Sequence, residues 1–310
     1  MRVHRTLPAS ATHGVALTIG NFDGVHLGHQ AMLARLRHAA SERGLPAAVM
    51  TFEPHPREFF APDAAPARLT SLREKLELLR EHDVDRAYVC HFDAAFSRTP
   101  AREFVLGMLA RRLGVRWLLA GDDFQFGAGR QGNAALLREL CRSAGFELEF
   151  QTSVEITSRR VSSTLVREAL KAGDLPLAST YLGRDYYLSG RVVHGDKLGR
   201  TLGFPTANVR MRHTRPPLAG VFAVKLRLRG CRALQGVASL GTRPTVKIGG
   251  TPTLEVHIFD FSGDLYGQHV HVEFLHKLRD EAHYPDLATL RDQIERDAAA
   301  ARRYFIAASA

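Results

Sequence analysis

The stretch GNFDGVHLGHQAML, Gly20 to Leu33, follows directly on the apolar run Val15-Ala-Leu-Thr-Ile19. The run reads as a buried strand, and the apolar spacing over residues 28–43 reads as a helix. Between them Gly20, Gly24 and Gly28 permit a tight turn and let the backbone approach a ligand. A helix N-terminus offers unpaired amides and a positive dipole end, so this turn suits a phosphate. His26 and His29, three apart, can face the same side of the first helical turn. There they can donate hydrogen bonds to oxygens that gain charge during phosphate transfer. A glycine turn or an exposed histidine alone is weak evidence; the joint pattern is sharper.

The same strand–helix alternation continues outward. Residues 47–52, 86–92, 116–120 and 147–151 read as strands, and residues 72–81, 100–113 and 133–144 as helices. This order predicts an α/β domain with a doubly wound parallel sheet, helices on both faces and ligands beyond the carboxyl ends of the strands. After helices at 165–172 and 175–182 the period changes. Runs of period two at 187–193, 221–228, 233–239, 254–259 and 269–274 predict a small antiparallel β-barrel, with the amphipathic helix 286–305 laid against it. The expected domains are therefore residues 1–184 and 185–310.

At 310 residues the chain can bury two cores. No run of 18 apolar residues exists, and the N-terminal MRVHRTLPASATHGV carries no apolar signal segment, so a cytoplasmic location without a membrane is expected. Cys90, Cys141 and Cys231 are isolated, which argues against a disulfide framework or a zinc knot. Lys and Arg number 42 against 32 acidic residues, net +10, which suggests anionic partners. No run of five basic residues forms a tail, which weakens a nucleic-acid reading.

The segment GNFDGVHLGH resembles the HxGH nucleotidyltransferase superfamily, in the form seen in the FMN adenylyltransferase domain of bacterial FAD synthetases. TFEPHP (Thr51–Pro56), GDDFQFGAGRQG (Gly121–Gly132) and VSSTLVREAL (Val161–Leu170) match in the right order. The resemblance implies catalytic roles for His26 and His29. It implies ATP or phosphate contacts from Gly20, Phe22, Gly24, Gly28, Ser162, Ser163, Thr164 and Arg167. His55, Asp123, Phe124 and Arg130 are expected to orient flavin or adenine. Attack by an FMN phosphate, already ionised near neutral pH, needs no general base, so donors and positive charge should line this site.

The second half carries GRVVHGDKLGRTLGFPTANV, Gly190 to Val209, whose spacing and PTAN core resemble the riboflavin kinase domain. GVFAV (Gly220–Val224), GVASLGTRPTV (Gly236–Val246) and LEVHIFDFSGDLYG (Leu254–Gly267) extend the match, so the resemblance covers nearly the whole chain. The ribityl 5′-hydroxyl is a poor nucleophile and should have a general base. The resemblance assigns that role to Glu255, Mg²⁺ binding to Thr206 and Asn208, and ATP contacts to Gly195, Lys197, Gly199, Gly203 and Pro205. Ser239 and Val246 stand where the family often has asparagine and an aromatic, and both are expected to lie outside the chemistry.

The implied function is bifunctional FAD biosynthesis: riboflavin is phosphorylated to FMN, and FMN is adenylylated to FAD. The expected partners are the small molecules ATP, riboflavin and FMN, with Mg²⁺ as cofactor; homo-oligomerisation is left open. Two rival readings stand beside it. One is a kinase whose N-terminal domain is inactive or serves another acceptor such as a pantetheine phosphate; intact His26, His29 and Ser162–Arg167 speak against it. The other is an RNA-binding protein on an OB-like barrel. Arg227, Arg229 and Arg232 form only a modest cluster for that role.

Overall fold

The computed structural model describes residues 1–152, 154–156, 159–195, 198–228, 230–242 and 252–308. Strands are β1 (Arg2–His4), β2 (Val15–Ile19), β3 (Ala47–Glu53), β4 (Arg86–His91), β5 (Val115–Gly121), β6 (Glu147–Gln151), β7 (Glu155–Ile156), β8 (Arg159–Arg160), β9 (Tyr186–Val193), β10 (Thr206–Met211), β11 (Gly220–Leu228), β12 (Leu234–Thr242), β13 (Pro252–Ile258) and β14 (His269–Arg279). Helices are α1 (Leu27–Glu42), α2 (Pro56–Phe60), α3 (Leu72–Glu81), α4 (Ala94–Ser97), α5 (Ala134–Ala144), α6 (Ser163–Ala172), α7 (Leu175–Leu182), α8 (Leu198–Thr201) and α9 (Leu287–Ala307). The chain forms two compact units, Met1–Pro66 with Lys75–Ser162, and Ala67–Glu74 with Ser163–Ala310.

In the first unit six parallel strands lie in the order β1-β4-β3-β2-β5-β6. β2 is wholly buried, as a strand covered on both faces must be. Val15, Leu17 and Ile19 join a core with Phe104, Leu109, Leu137 and Leu140 from one set of helices. The fully buried Leu33 and Leu36 come from α1, which packs on β2, β3 and β5. From β2 the chain winds outward through β3 and β4, then returns to β5 on the other side of β2. The order reverses there, so the ends of β2 and β5 flank the crevice where such sheets bind ligands. The segment Glu103–Arg112, which the periodicity predicts as α-helix, is π-helical.

In the second unit six antiparallel strands close into a barrel, β10-β13-β12-β11-β14-β9. Leu188, Phe222, Val224, Leu226, Val256, Val272 and Phe274 are fully or almost fully buried at alternate positions, the mark of inward-facing strand residues. Helix α9 buries Ala298, Ala301 and Phe305 against Val221, Ala223, Val237 and Phe259. Asp286 caps α9 by accepting a 2.7 Å bond from the Thr289 amide. Arg279 on β14 donates to Asp297 on α9 through Nε at 2.9 Å and Nη2 at 2.7 Å, and Gln293 donates to the same carboxylate at 2.9 Å. Residues 67–74 also belong here. The buried Glu74 carboxylate accepts from the Ser189 amide at 2.6 Å and the Ser71 amide at 2.7 Å, and pairs with His213 Nε2 at 2.8 Å. Burial alone would raise the Glu74 pKa; the bond and charge of His213, with the Ser71 and Ser189 amide bonds, together outweigh it and hold the carboxyl below its ordinary value.

The Asp297 side chain is only 8% exposed and Arg279 keeps 24%, so removing the acid strands a half-buried cation. Asp297→Ala is expected to cost roughly 2–3 kcal/mol, below the full value for a buried pair because Arg279 retains some water. Calorimetric unfolding checks this; a loss under about 1 kcal/mol would make the pair incidental.

Candidate functional site

The turn after β2 holds strained backbone. Phe22 (φ 49°) and Val25 (φ 41°) lie in the left-handed region on either side of Gly24 (φ 83°). For bulky side chains this costs about 1–3 kcal/mol each and persists only where packing enforces it. Both side chains are fully buried, which supplies that enforcement. The Gln30 amide donates to the Val25 carbonyl at 2.9 Å, and the Thr51 hydroxyl donates to the Asn21 carbonyl at 3.2 Å. The turn therefore delivers His26 as the N-cap of α1, with no side-chain cap bond.

His26 and His29 stack with ring centroids 3.7 Å apart, and Phe22 lies 5.0 Å from the His29 ring. Gly28 makes room for this pair: a Cβ there would meet His26 Cε1 at 3.1 Å and the Val161 carbonyl oxygen at 3.5 Å. Ser162, next to Val161, thus comes near the first turn of α1. Burial, then the neighbouring His26 and Lys75, push the His29 pKa well below 6.5. His29 Nδ1 has no hydrogen-bond partner among the described residues. The ring is a neutral imidazole, able to donate one proton without carrying charge.

Two buried ionisable residues of this turn and its surroundings escape the sequence reading. Asp23 is 4% exposed, and Lys75, whose Nζ is 3.4 Å from Thr51 Oγ1, is 3% exposed. Lys75 sits in a helix that reads as ordinary amphipathic surface; only its place opposite the end of β3 makes it buried. It adds the positive charge expected of this site.

The remaining N-terminal candidates fall as follows. His55 caps α2, its Nδ1 accepting from the Arg57 amide at 3.1 Å while the Glu58 carboxylate returns to the His55 amide at 3.2 Å. Asp123 follows β5 and pairs with Arg160 at 3.0 Å, its side chain 68% exposed. Phe124 stacks on Phe126 at 5.5 Å, and Arg130 ends a short 3-10 turn at φ 58°. Ser163 opens α6, Thr164 is exposed on its first turn, and Arg167 Nε donates to the Ala67 carbonyl at 2.6 Å.

The barrel gathers its candidates on one outer face. Asn208 on β10 stands directly opposite Glu255 on β13, and Thr206 opposite His257. Side chains two apart on a strand share a face, so Thr206, Asn208, Glu255 and His257 form a two-by-two patch. The inward neighbours Leu254, Val256 and Val209 are buried, whereas these four are half-buried. Ser239 on β12 pairs with Glu255 from the other side. Ser239, expected to lie outside the chemistry, is thus a ladder neighbour of the Glu255 position, which only the barrel register reveals.

The loop before β10 folds onto the patch. A methyl on Gly195 would collide with the Asn208 amide, and one on Gly199 would meet the Phe204 carbonyl and come within 3.2 Å of Thr206 Oγ1. Glycine is required because backbone passes directly over side-chain oxygens. Gly203 takes the left-handed conformation, φ 88°, and exposed Pro205 ends the loop. Lys197 and Val246 lie outside the described residues.

A stacked histidine pair at the switch point of a parallel sheet, joined in one chain to a barrel with a carboxylate–amide–hydroxyl patch, is an arrangement suited to a protein with two phosphoryl-transfer centres. Family models agree: residues 9–165 match FAD synthetase and residues 182–305 match riboflavin kinase. The chain is 49% identical to the bifunctional riboflavin kinase/FMN adenylyltransferase of Haemophilus influenzae, covering 94% of each chain. It is 47% identical to that of Escherichia coli K12, covering 96% of this chain and 95% of the relative. A solved structure described as a macrolide-efflux protein from Streptococcus pneumoniae superposes with a TM-score of 0.81 at 29% identity, covering 96% of this chain and 97% of the other. Among the described residues here, no helix is long and apolar enough to cross a membrane. The chain belongs to the bifunctional riboflavin kinase/FMN adenylyltransferase family.

The lowered pKa of His29 has a defined sign. Below pH 6.5 the unfolded chain takes up a proton that the folded chain refuses until its lower pKa is reached. Stability from this group is thus present above pH 6.5 and lost as pH falls through the folded value. NMR of the ring should find His29 neutral at pH 6, and His29→Asn should flatten part of the acid-side loss of stability. A ring protonated at pH 6 would contradict the buried environment.

Proposed function

We propose that the chain makes FAD from riboflavin in two ATP-dependent steps, with residues 185–310 catalysing the first and residues 1–184 the second. The observation that carries this reading is the barrel register, which sets the Glu255 carboxylate opposite Asn208 and beside Thr206 on one face.

In the first step Glu255 accepts the proton of the ribityl 5′-hydroxyl as that oxygen bonds to the γ-phosphorus of ATP. The bond from that phosphorus to the β,γ-bridging oxygen breaks, and ADP leaves. Thr206 and Asn208 offer two neutral oxygens on one strand face, hard donors of the kind Mg²⁺ takes alongside substrate phosphates. They would hold the ion, which neutralises phosphate charge when bound. Gly195, Lys197, Gly199, Gly203 and Pro205 would shape the ATP-binding loop.

In the second step an FMN phosphate oxygen bonds to the α-phosphorus of ATP and pyrophosphate leaves, with no proton to remove. The backbone of the turn from Gly20 through Phe22 and Gly24 to Gly28 would face phosphate. Neutral His29, stacked on His26, would donate to an oxygen that gains charge, with buried Lys75 supplying nearby positive potential. Ser162, Ser163, Thr164 and Arg167 would contact ATP phosphates; the start of α6 supports this, since helix N-termini favour anions. His55, Asp123, Phe124 and Arg130 would orient flavin or adenine, and the exposed Asp123–Arg160 pair would have to open or reorient to do so. The three isolated thiols support a reducing, cytoplasmic setting.

A fragment from Leu182 to Ala310 should still phosphorylate riboflavin and make no FAD. It lacks Glu74, so the Ser189 amide and His213 lose their carboxylate; its barrel should melt earlier than in the full chain. A folded fragment without kinase activity would defeat the proposed division.

His29→Ala should slow FAD formation from FMN by roughly 10²-fold, the cost of a lost transition-state donor. Its riboflavin phosphorylation should stay near wild type. Glu255→Gln should slow riboflavin phosphorylation by ~10²–10⁴-fold, the range for a missing general base, and spare FAD formation from supplied FMN. Chromatographic separation of the flavins reads both activities. Equal loss of both in either folded variant would sink the two-site assignment.

A further inference from the structure

His257 follows Glu255 by two residues on β13 and is the ladder partner of Thr206. Its Nδ1 lies 2.9 Å from the Pro205 carbonyl oxygen. A carbonyl only accepts, so Nδ1 carries the proton and donates. The ring is held edge-on to Phe204, with centroids 5.3 Å apart and planes at 77°, and to Phe259, at 5.8 Å and 71°. Phe259 is itself fixed in the cluster buried by α9, meeting Phe305 at 6.5 Å and lying 4.3 Å beneath the Arg302 guanidinium. The imidazole therefore has little rotational freedom.

What it grips is the joint between loop and strand. Pro205 has no amide hydrogen, so its own backbone can be anchored by hydrogen bonding only through its carbonyl. The next residue is Thr206, the first of β10, and Asn208 follows on the same face. Upstream, Gly203 is left-handed and the Phe204 amide donates to the Gly199 carbonyl at 2.8 Å. A shift at Pro205 would displace both oxygen donors relative to Glu255.

We propose that His257 is a positioning residue for riboflavin phosphorylation, fixing the start of β10 through the Pro205 carbonyl so that Thr206 and Asn208 stand correctly against Glu255. It acts through backbone and touches no substrate. The inference rests on the assignment of Thr206, Asn208 and Glu255 to phosphoryl transfer.

The test uses the full chain and two amide substitutions. His257→Asn places a donor close to where Nδ1 stands; His257→Gln carries it out to the position of Nε2. With riboflavin and ATP at varied Mg²⁺ concentration, His257→Gln should lose roughly tenfold in kcat, the scale of one lost hydrogen bond. Its half-saturating Mg²⁺ concentration should rise several-fold while KM for riboflavin holds. His257→Asn should stay within about threefold of wild type, since the bond is retained. FAD formation from supplied FMN should be unchanged in both. Wild-type kcat and Mg²⁺ dependence in His257→Gln would overturn the proposal, as would equal losses in the two variants. If His257→Gln does not fold, a tenfold loss in folded His257→Asn would overturn it alone. Glu255→Gln run in parallel separates the failures. Retained turnover there defeats the site assignment; an inactive Glu255→Gln beside a wild-type His257→Gln defeats only the role of His257.

Discussion

An antiparallel ladder has no half measures: slipping one strand by a single residue sends every side chain to the opposite face. The pairing of β10 with β13 is the constraint on which the barrel half of this molecule depends. In the observed register Ala207 and Val209 turn with Val256 and Leu254 toward the interior, while Thr206 and Asn208 meet His257 and Glu255 outside. Packing of the inward set thus fixes the chemistry of the outward set. The closed barrel adds a second lock, because β13 is held in turn by β12 and β10 by β9. Hydrophobic burial, which has no direction of its own, here sets polar groups in direct apposition.

The first unit solves a similar problem with different means. Parallel strands buried on both faces offer no outward row, so the reactive groups stand at the strand ends. The left-handed Phe22 and Val25 show the cost of turning there without a glycine at each point. Their full burial offsets that strain, and the result is a histidine pair set rigidly at the start of α1.

The strand–helix alternation, the switch to period two near residue 185 and the HxGH and PTAN segments were legible because they are local. The structure's β2 spans the expected Val15–Ile19, and α3 and α7 begin and end where the periodicity places them. β10 is not legible as a strand: in TANVRM the poor strand formers Ala207 and Asn208 follow Thr206, and its β character comes from its two neighbours. β1 is three residues long, too short to show a period. The buried roles of Glu74 and Lys75 were hidden for another reason. Each reads as the polar face of an amphipathic helix, and nothing nearby announces a partner far along the chain. The nearness of Ser239 to Glu255 is hidden likewise, since it exists only in the folded ladder.

The carboxylate of Glu74 has a consequence for how the protein is made. Its partners Ser189 and His213 lie 115 and 139 residues further along the chain. At typical synthesis rates of about 5–20 residues per second, the acid waits on the order of ten seconds for them to leave the ribosome. During that interval residues 1–66 and 75–162 can already assemble their sheet, while residues 67–74 stay uncommitted. The chain is therefore not two gene segments placed end to end. An eight-residue piece of the second unit is delivered early, so ribosomal pausing between residues 74 and 213 lengthens the time for which the Glu74 side chain stands without Ser189 and His213.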